Sequence, residues 1–248
     1  MSDKEPLRYA LKFALLAILC ILLFSGLGFT FTNYLESKKS STPLPVFDKI
    51  EKTRFVIDAG HGGEDAGAVA LDGTLEKDLN LEIATLLSSI LELNGNEVIL
   101  TRDNDALLYD RYGDLQDYTG KKKVYDLKNR LRIAEEKENS IYVGIHMNKF
   151  PEEKYSGLQV YYSPNNPLSQ EIATNIRDTV KENLQPNNKR SIKRSDSSIY
   201  VLNGAQIPAV LVECGFLSNQ NELARLKDKE YQSSLAMSLF CALCKYDS

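Results

Sequence analysis

Short apolar runs alternate along this chain with longer stretches whose apolar residues recur at helical spacing. Phe55, Val56, Ile57 and Asp58 have the character of a buried strand, and the run breaks at once into Gly60, His61, Gly62 and Gly63. Leu79, Ile83, Leu86, Leu87 and Ile90 then share one helical face, with Asn94 and Gly95 as the stop. Residues 97–101 read as a strand, 126–137 as a helix with Leu127, Leu131 and Ala134 in register, and 140–145 as a strand running into His146. Further on, 157–163 predicts a strand and 168–184 a helix; 198–203 and 209–214 predict two short strands around 204–208. A short helix over 222–226 and an amphipathic one over 231–246 close the chain. This alternation predicts one three-layer α/β domain, a mostly parallel central sheet flanked by helices, with ligands bound at the carboxyl ends of the strands.

The N-terminal part follows a different pattern. Residues 13–35 hold no charged side chain and follow Lys4, Arg8 and Lys12. At about 1.5 Å rise per residue, such a run spans a hydrocarbon core of about 30 Å. Residues 1–35 therefore predict a signal or a membrane anchor, with the basic flank in the cytoplasm and the bulk of the chain outside. Small residues at Ser25, Gly26 and Gly28 leave cleavage open. Residues 36–52, polar and containing serine and proline, read as a linker, and 53–248 as the folded domain.

Composition narrows the partners. A chain of 248 residues with net charge −4 gives no electrostatic case for nucleic acid, and the basic runs 121–123 and 189–194 read as solvated loops. The four cysteines form no disulfide framework; Cys241 and Cys244 fall in an apolar helical pattern and read as packing residues. Residues 106–125 lack any clear period and read as a surface insertion near the site.

The two histidines are the candidate chemistry. Each stands at the end of a strand, so neighbouring strands would bring both imidazoles to one crevice. Glu76 stands at the start of a helix, where a negative charge also has an ordinary reason, worth about 0.3–1 kcal/mol against the macrodipole. Glu213 interrupts the apolar run AVLVECG, a costly place for a carboxylate unless it faces a polar or metal-bearing pocket. Two histidines and one glutamate at element ends fit the three protein ligands of a catalytic zinc site, with Glu213 as the acid and base. The G-x-S-x-G elbow of serine hydrolases is absent, as are the spacing and lysine of a phosphate-binding loop.

The ordered motifs VIDAGHGGEDAGA, TLEKDLNL, VGIHMN and PAVLVECGFLSNQNE resemble those of the zinc-dependent N-acetylmuramoyl-L-alanine amidases of bacterial cell walls, from about Arg54 to the C-terminus. The 121–132 segment and the stretch SIYVLNGAQIPAVLVECGFLSN are most similar to the CwlD type, sporulation amidases that help make muramic-δ-lactam in the spore cortex. The resemblance implies Zn²⁺ bound by His61, Glu76 and His146, Glu213 as catalytic acid and base, and hydrolysis of the amide between N-acetylmuramic acid and L-alanine in peptidoglycan. Asn148, Gly62 and Gly63, beside the histidines, are the candidate substrate contacts. It also implies an accessory lipoprotein partner, as in clostridial relatives. Ala59 stands where these enzymes usually have proline, and Gly144 and Met147 flank His146 unusually, which bears on substrate fit. The alternatives are a zinc-dependent peptidoglycan-binding or scaffold domain without catalysis, and another cell-wall zinc hydrolase, a carboxypeptidase or deacetylase.

Overall fold

The computed structural model describes residues 53–246; the expected signal or anchor and linker, 1–52, lie outside the described residues. Among the described residues no helix is long and apolar enough to cross a membrane. The elements run β1 (Arg54–Ala59), α1 (Glu76–Leu93), β2 (Glu97–Leu100), α2 (Lys122–Ala134), β3 (Ser140–Asn148), β4 (Gln159–Tyr162), α3 (Leu168–Asn183), β5 (Lys193–Arg194), α4 (Tyr200–Gly204), β6 (Ala209–Phe216), α5 (Gln220–Lys227) and α6 (Lys229–Leu243), ending in a 3-10 turn, Cys244–Tyr246.

The six strands form one sheet in the order β2-β1-β3-β6-β4-β5. β1 pairs in parallel with β2 and β3, and β3 with β6, whereas β4 is antiparallel to β6 and parallel to β5. The three-layer, mostly parallel α/β architecture expected from the sequence is therefore the one found. β1, β3 and β6 are its centre and are covered on both faces, so their sequences read as nearly continuous apolar runs. Phe55, Ile57, Val143, Ile145, Val210 and Val212 face a core built with α1, α3 and α6. Val56, Tyr142 and Leu211 point the other way, toward Ile133, Val201 and Leu202 of α2 and α4.

Four expectations change. Residues 198–203 are not a strand: Ser198 N donates to Asp196 Oδ1 at 2.8 Å, turning the chain into α4, which buries Val201 and Leu202. A four- to six-residue apolar run has no period long enough to separate strand from helix. α2 starts at Lys122 rather than 126, because its first turn is largely solvent-exposed and carries no apolar spacing. β5 has two charged, exposed residues, which is how edge strands are kept from pairing further and leaves no hydrophobic signal. Cys241 and Cys244 are exposed, so they are not packing residues; Leu235, Leu239 and Leu243 of α6 take that role.

One buried polar cluster fixes the carboxyl end of β1. Asp58 Oδ1 accepts from Thr101 Oγ1 (2.6 Å) and Arg130 Nη1 (2.5 Å), and Oδ2 accepts from Tyr142 OH (2.5 Å). Arg130 also donates to Ala59 O (2.8 Å) and His61 O (2.6 Å), and its Nε to Asp126 Oδ2 (2.7 Å). From the α1 side Arg102 donates to Ala59 O (2.9 Å), Gly60 O (3.0 Å) and Lys77 O (2.7 Å). Burial works against a charged Asp58, but the Arg130 guanidinium and then the Thr101 and Tyr142 hydroxyls outweigh it, so its carboxyl sits below the usual carboxylate range.

Removing one partner would leave a buried charge uncompensated. Arg130→Met should cost about 3–5 kcal/mol of unfolding free energy by urea titration, whereas a loss under about 1 kcal/mol would show the cluster to be dispensable. A depressed folded-state pKa adds stability above the unfolded value, about 3.9, that is lost on acidification. The wild type should thus lose stability below about pH 4, and Asp58→Asn should flatten that slope.

Candidate metal centre and acid-base residue

His61, Glu76 and His146 come together from three separate parts of the chain, each offering a ligand atom within 4.8 Å of the others. The parallel pairing of β1 with β3 is what makes the two imidazoles neighbours, with ring centroids 5.1 Å apart. His61 lies two residues past β1, whereas His146 is still within β3, at a register shift between His146 and Asn148. Glu76 is the first residue of α1.

The loop carrying His61 is strained and tightly packed. His61 has φ +61°, the one non-glycine residue in the left-handed region among those described, a conformation that persists only where its surroundings dictate it. Those surroundings are the two arginines that grip the carbonyls of residues 59–61. A Cβ on Gly60 would fall 2.2 Å from the His146 ring, and one on Gly67 would fall 2.6 Å from Glu76 Oε2 and 2.7 Å from the His61 ring. Glycine is therefore required at both positions for the ligand side chains to close up.

Glu76 Oε1 is the meeting point. His61 Nε2 lies 3.2 Å from it and His146 Nδ1 3.0 Å, while the backbone N–H of Met147 (3.1 Å) and Asn80 Nδ2 (3.3 Å) donate to the same atom. Oε2 accepts from Ala68 N at 2.7 Å. The far side of His61 is occupied as well, its Nδ1 lying 3.0 Å from Asp65 Oδ2. If Nδ1 carries the proton toward Asp65, the Nε2 lone pair faces a carboxylate oxygen, an arrangement that a shared cation resolves. Tetrahedral zinc sites place neighbouring donors about 3.3 Å apart, so the spacing fits such an ion. The donor chemistry, two imidazoles and a carboxylate, fits it too.

Asp65 was not singled out by the sequence patterns, although an acid four residues after a metal-type histidine is the available signal. It orients His61 as the carboxylates behind metal-bound histidines do. Its own carboxyl is raised by burial but drawn down further by His61, ending below the usual range. Lys123 Nζ lies 3.3 Å from it. Burial likewise opposes a charged Glu76, and the His146 and His61 imidazoles more than offset it.

Glu213 stands opposite His146 in the β3–β6 register, on the same side of the sheet. It is half-buried, and its Oε2 is shielded from solvent with no hydrogen-bond partner. Burial, reinforced by Glu76, pushes its carboxyl up to about 7 despite the two imidazoles. Such a group both takes and gives a proton near neutrality. A pocket of about 240 Å³ opens beside the cluster, walled by Leu127, Ile199, Val201 and Leu211 and touched by His61 and His146.

The three candidate contact residues are placed as follows. Gly62 and Gly63 pack beneath 105–107: a Cβ on Gly62 would fall 2.2 Å from Ala106 O, and Gly63 N donates to Asp105 Oδ1 at 2.7 Å. Lys77 Nζ bridges Gly63 O (2.7 Å) and Asp105 Oδ2 (2.6 Å), closing this corner of the cleft. Asn148 is half-buried at the end of β3, and its carbonyl accepts from Leu217 N at 2.8 Å. The 106–125 insertion borders the site as expected, pinned by Asn129 Nδ2 to Leu108 O (2.6 Å) and by Asp126 to Leu108 N (2.7 Å).

Residues 55–245 match the family model described as N-acetylmuramoyl-L-alanine amidase. A germination-specific N-acetylmuramoyl-L-alanine amidase of Bacillus subtilis is 34% identical over 236 residues, 95% of this chain and 93% of that protein. Among solved structures, the CwlD amidase from Clostridioides difficile, in complex with the GerS lipoprotein, superposes with TM-score 0.72 at 38% identity, covering 78% of this chain and 98% of that one. The amidase AmiC2 of Nostoc punctiforme superposes with TM-score 0.64 at 32% identity, covering 78% and 96%.

Asp65→Asn should weaken divalent-metal affinity by about 10- to 100-fold in competition with a chromophoric chelator, the usual effect of losing a carboxylate behind a histidine ligand. Unchanged affinity would mean that Asp65 does not orient His61.

Proposed function

The chain belongs to the N-acetylmuramoyl-L-alanine amidase family, and we propose that it is a zinc-dependent member serving spore cortex maturation. As an amidase of this family it is a hydrolase of peptidoglycan, and cell-wall amidases of this kind act outside the cytoplasm. The bond cut is the amide between N-acetylmuramic acid and the L-alanine of the stem peptide. The observation that carries the zinc reading is the convergence of His61, Glu76 and His146 facing a half-buried Glu213 whose Oε2 has no partner.

His61, Glu76 and His146 are the proposed metal ligands. Zinc bound there supplies a Lewis acid for the scissile carbonyl and lowers the pKa of water. Glu213 accepts the proton of the attacking water and delivers it to the amide nitrogen as the C–N bond breaks, so the amine leaves neutral. Asp65 holds His61, and the arginine-gripped loop holds the site's geometry through the cycle. A partner-free binding module would have no reason to keep the Glu213 carboxylate half-buried and unpaired, which favours catalysis over the scaffold alternative.

The likeness to the Bacillus subtilis germination-specific amidase and to CwlD supports a role in germination, with muramic-δ-lactam formation as the proposed cortex reaction. The CwlD structure is a complex with a lipoprotein, which supports an accessory lipoprotein partner here. Residues 1–35 are proposed to carry the domain out as signal or anchor, 36–52 to tether it, and 53–248 to be the catalytic domain, acting in the forespore intermembrane space.

Digestion of purified cortex and vegetative peptidoglycan with the protein and zinc should release stem peptides beginning with a free L-alanine amine, identified by mass. Release of single C-terminal amino acids or of acetate would instead indicate a carboxypeptidase or deacetylase. Glu213→Gln should retain zinc while hydrolysis falls by about 10²- to 10⁴-fold, and undiminished turnover would remove Glu213 from the role of acid and base. His61→Ala or His146→Ala should lose the metal, and full zinc occupancy in either would exclude that ligand.

A further inference from the structure

The position of the acid decides how a substrate lies. If Glu213 protonates the departing amine, as proposed above, the stem peptide runs from β6 toward β4 and the glycan lies on the β1 side. β4 is the next strand, with Gln159 opposite Glu213 in register. Beyond it stands Arg190, its Nη1 3.5 Å from Gln159 Oε1 and its guanidinium 4.4 Å from the centre of the Phe216 ring, at the end of β6. A cavity of about 450 Å³ opens there, lined by Lys154, Tyr155, Lys189, Arg190, Glu222 and Arg225 among others.

The charge in that wall is unbalanced. Glu222 is its one carboxylate among the described residues, and it is already engaged: Oε1 accepts from Gly157 N and Oε2 from Phe216 N, each at 2.9 Å. Arg225 sits 3.5 Å from Glu222, and Lys154 pairs with Glu152. Among the described residues no carboxylate pairs with Lys189 or Arg190, and Arg190 spends its Nε on Ser156 O at 2.8 Å. Both come from the basic run 189–194, whose reading as a solvated loop leaves this placement unexplained. Uncompensated cations grouped around a concave surface attract anions, and these stand together in a chain whose net charge is −4.

We infer that this cavity is a carboxylate subsite for the stem peptide, with Lys189 and Arg190 receiving free carboxylates beyond the first L-alanine. The reach agrees. One strand spacing from β6 to β4 and a second to the loop beyond is about 10 Å, and an extended peptide covers about 3.3–3.6 Å per residue. The second or third residue past the scissile nitrogen therefore arrives level with Arg190.

The test uses the full-length, zinc-loaded chain and two synthetic N-acetylmuramyl tripeptides, one with free carboxylates at its second and third residues and one with carboxamides there. KM should be about tenfold lower for the carboxylate peptide, the scale of one charge-assisted hydrogen bond. Lys189→Glu should erase that preference by raising KM for the carboxylate peptide alone, with kcat for both within about twofold of wild type. Arg190→Gln should act alike and Arg190→Lys should restore much of the preference, an outcome that a merely structural Arg190 would not give. Equal KM values in the wild type, or a rise shared by both peptides in the variants, would overturn the subsite and leave these cations to an acidic protein surface. Hydrolysis of neither peptide would count against the amidase reading instead. Calorimetric titration of the free tripeptide and its amidated form then decides the subsite, equal affinities overturning it.

Discussion

Three successive carbonyls, those of Ala59, Gly60 and His61, are held by two buried arginines, and the site depends on that grip. Backbone carbonyls leaving a strand would ordinarily be satisfied by a neighbouring strand or by water. Here Arg130 reaches them from α2 and Arg102 from the loop after β2, itself tied to Lys77 O of α1, so a helix and a loop converge on one turn. The guanidinium suits this because its planar fork presents several donors at once in fixed geometry. Asp58 neutralises Arg130, and Asp126 takes its Nε, which makes two buried carboxylates, one at the end of β1 and one on α2, conditions for holding a cation beneath the candidate metal ligands.

That arrangement explains why His61 tolerates a left-handed backbone. A positive φ costs a non-glycine residue about 1–3 kcal/mol and survives where the neighbours over-determine it. The His61 carbonyl is fixed by Arg130 and its ring by Asp65, while the ring of His146 abuts Gly60 so closely that no side chain fits between. Preorganisation of this kind places the strain in the fold rather than in the reaction, so the ligand atoms are already at metal-binding spacing.

Much of this was legible in the chain. The strand-then-glycine break at 55–63, the strand running into His146 and the lone acid in AVLVECG all follow from periodicity, and parallel α/β topology then brings the ends together. The supporting layer was not legible, because Arg102 and Arg130 look like ordinary polar positions until the fold shows what they meet. Arg130 in particular is spaced like any helix-surface cation, yet it is almost wholly buried. Local ambiguity accounts for the remaining differences: α4 is too short for its period to declare itself, and β5 is an edge pair with no apolar side chain at all. His146 lies inside β3 rather than past it because it still pairs with Glu213 and the strand runs on to Asn148, a feature of pairing that a single strand's sequence does not carry.

The antiparallel turn of β4 bears on specificity more than its four residues suggest. A further parallel strand beside β6 would bring its carboxyl end to the active-site edge, with a crossover helix to follow. Because β4 instead starts at that edge, the chain entering it, residues 154–158, lies on the floor beyond Glu213, and the chain leaving α3 folds over to meet it through Gln185 and Asn188. The sheet therefore continues past Glu213 with a strand that starts, rather than ends, at the edge where His146 and Glu213 stand. A site built only from parallel strand ends would be a point; this reversal sets a second cavity, lined by Lys154, Lys189, Arg190 and Arg225, beside the chain that enters β4.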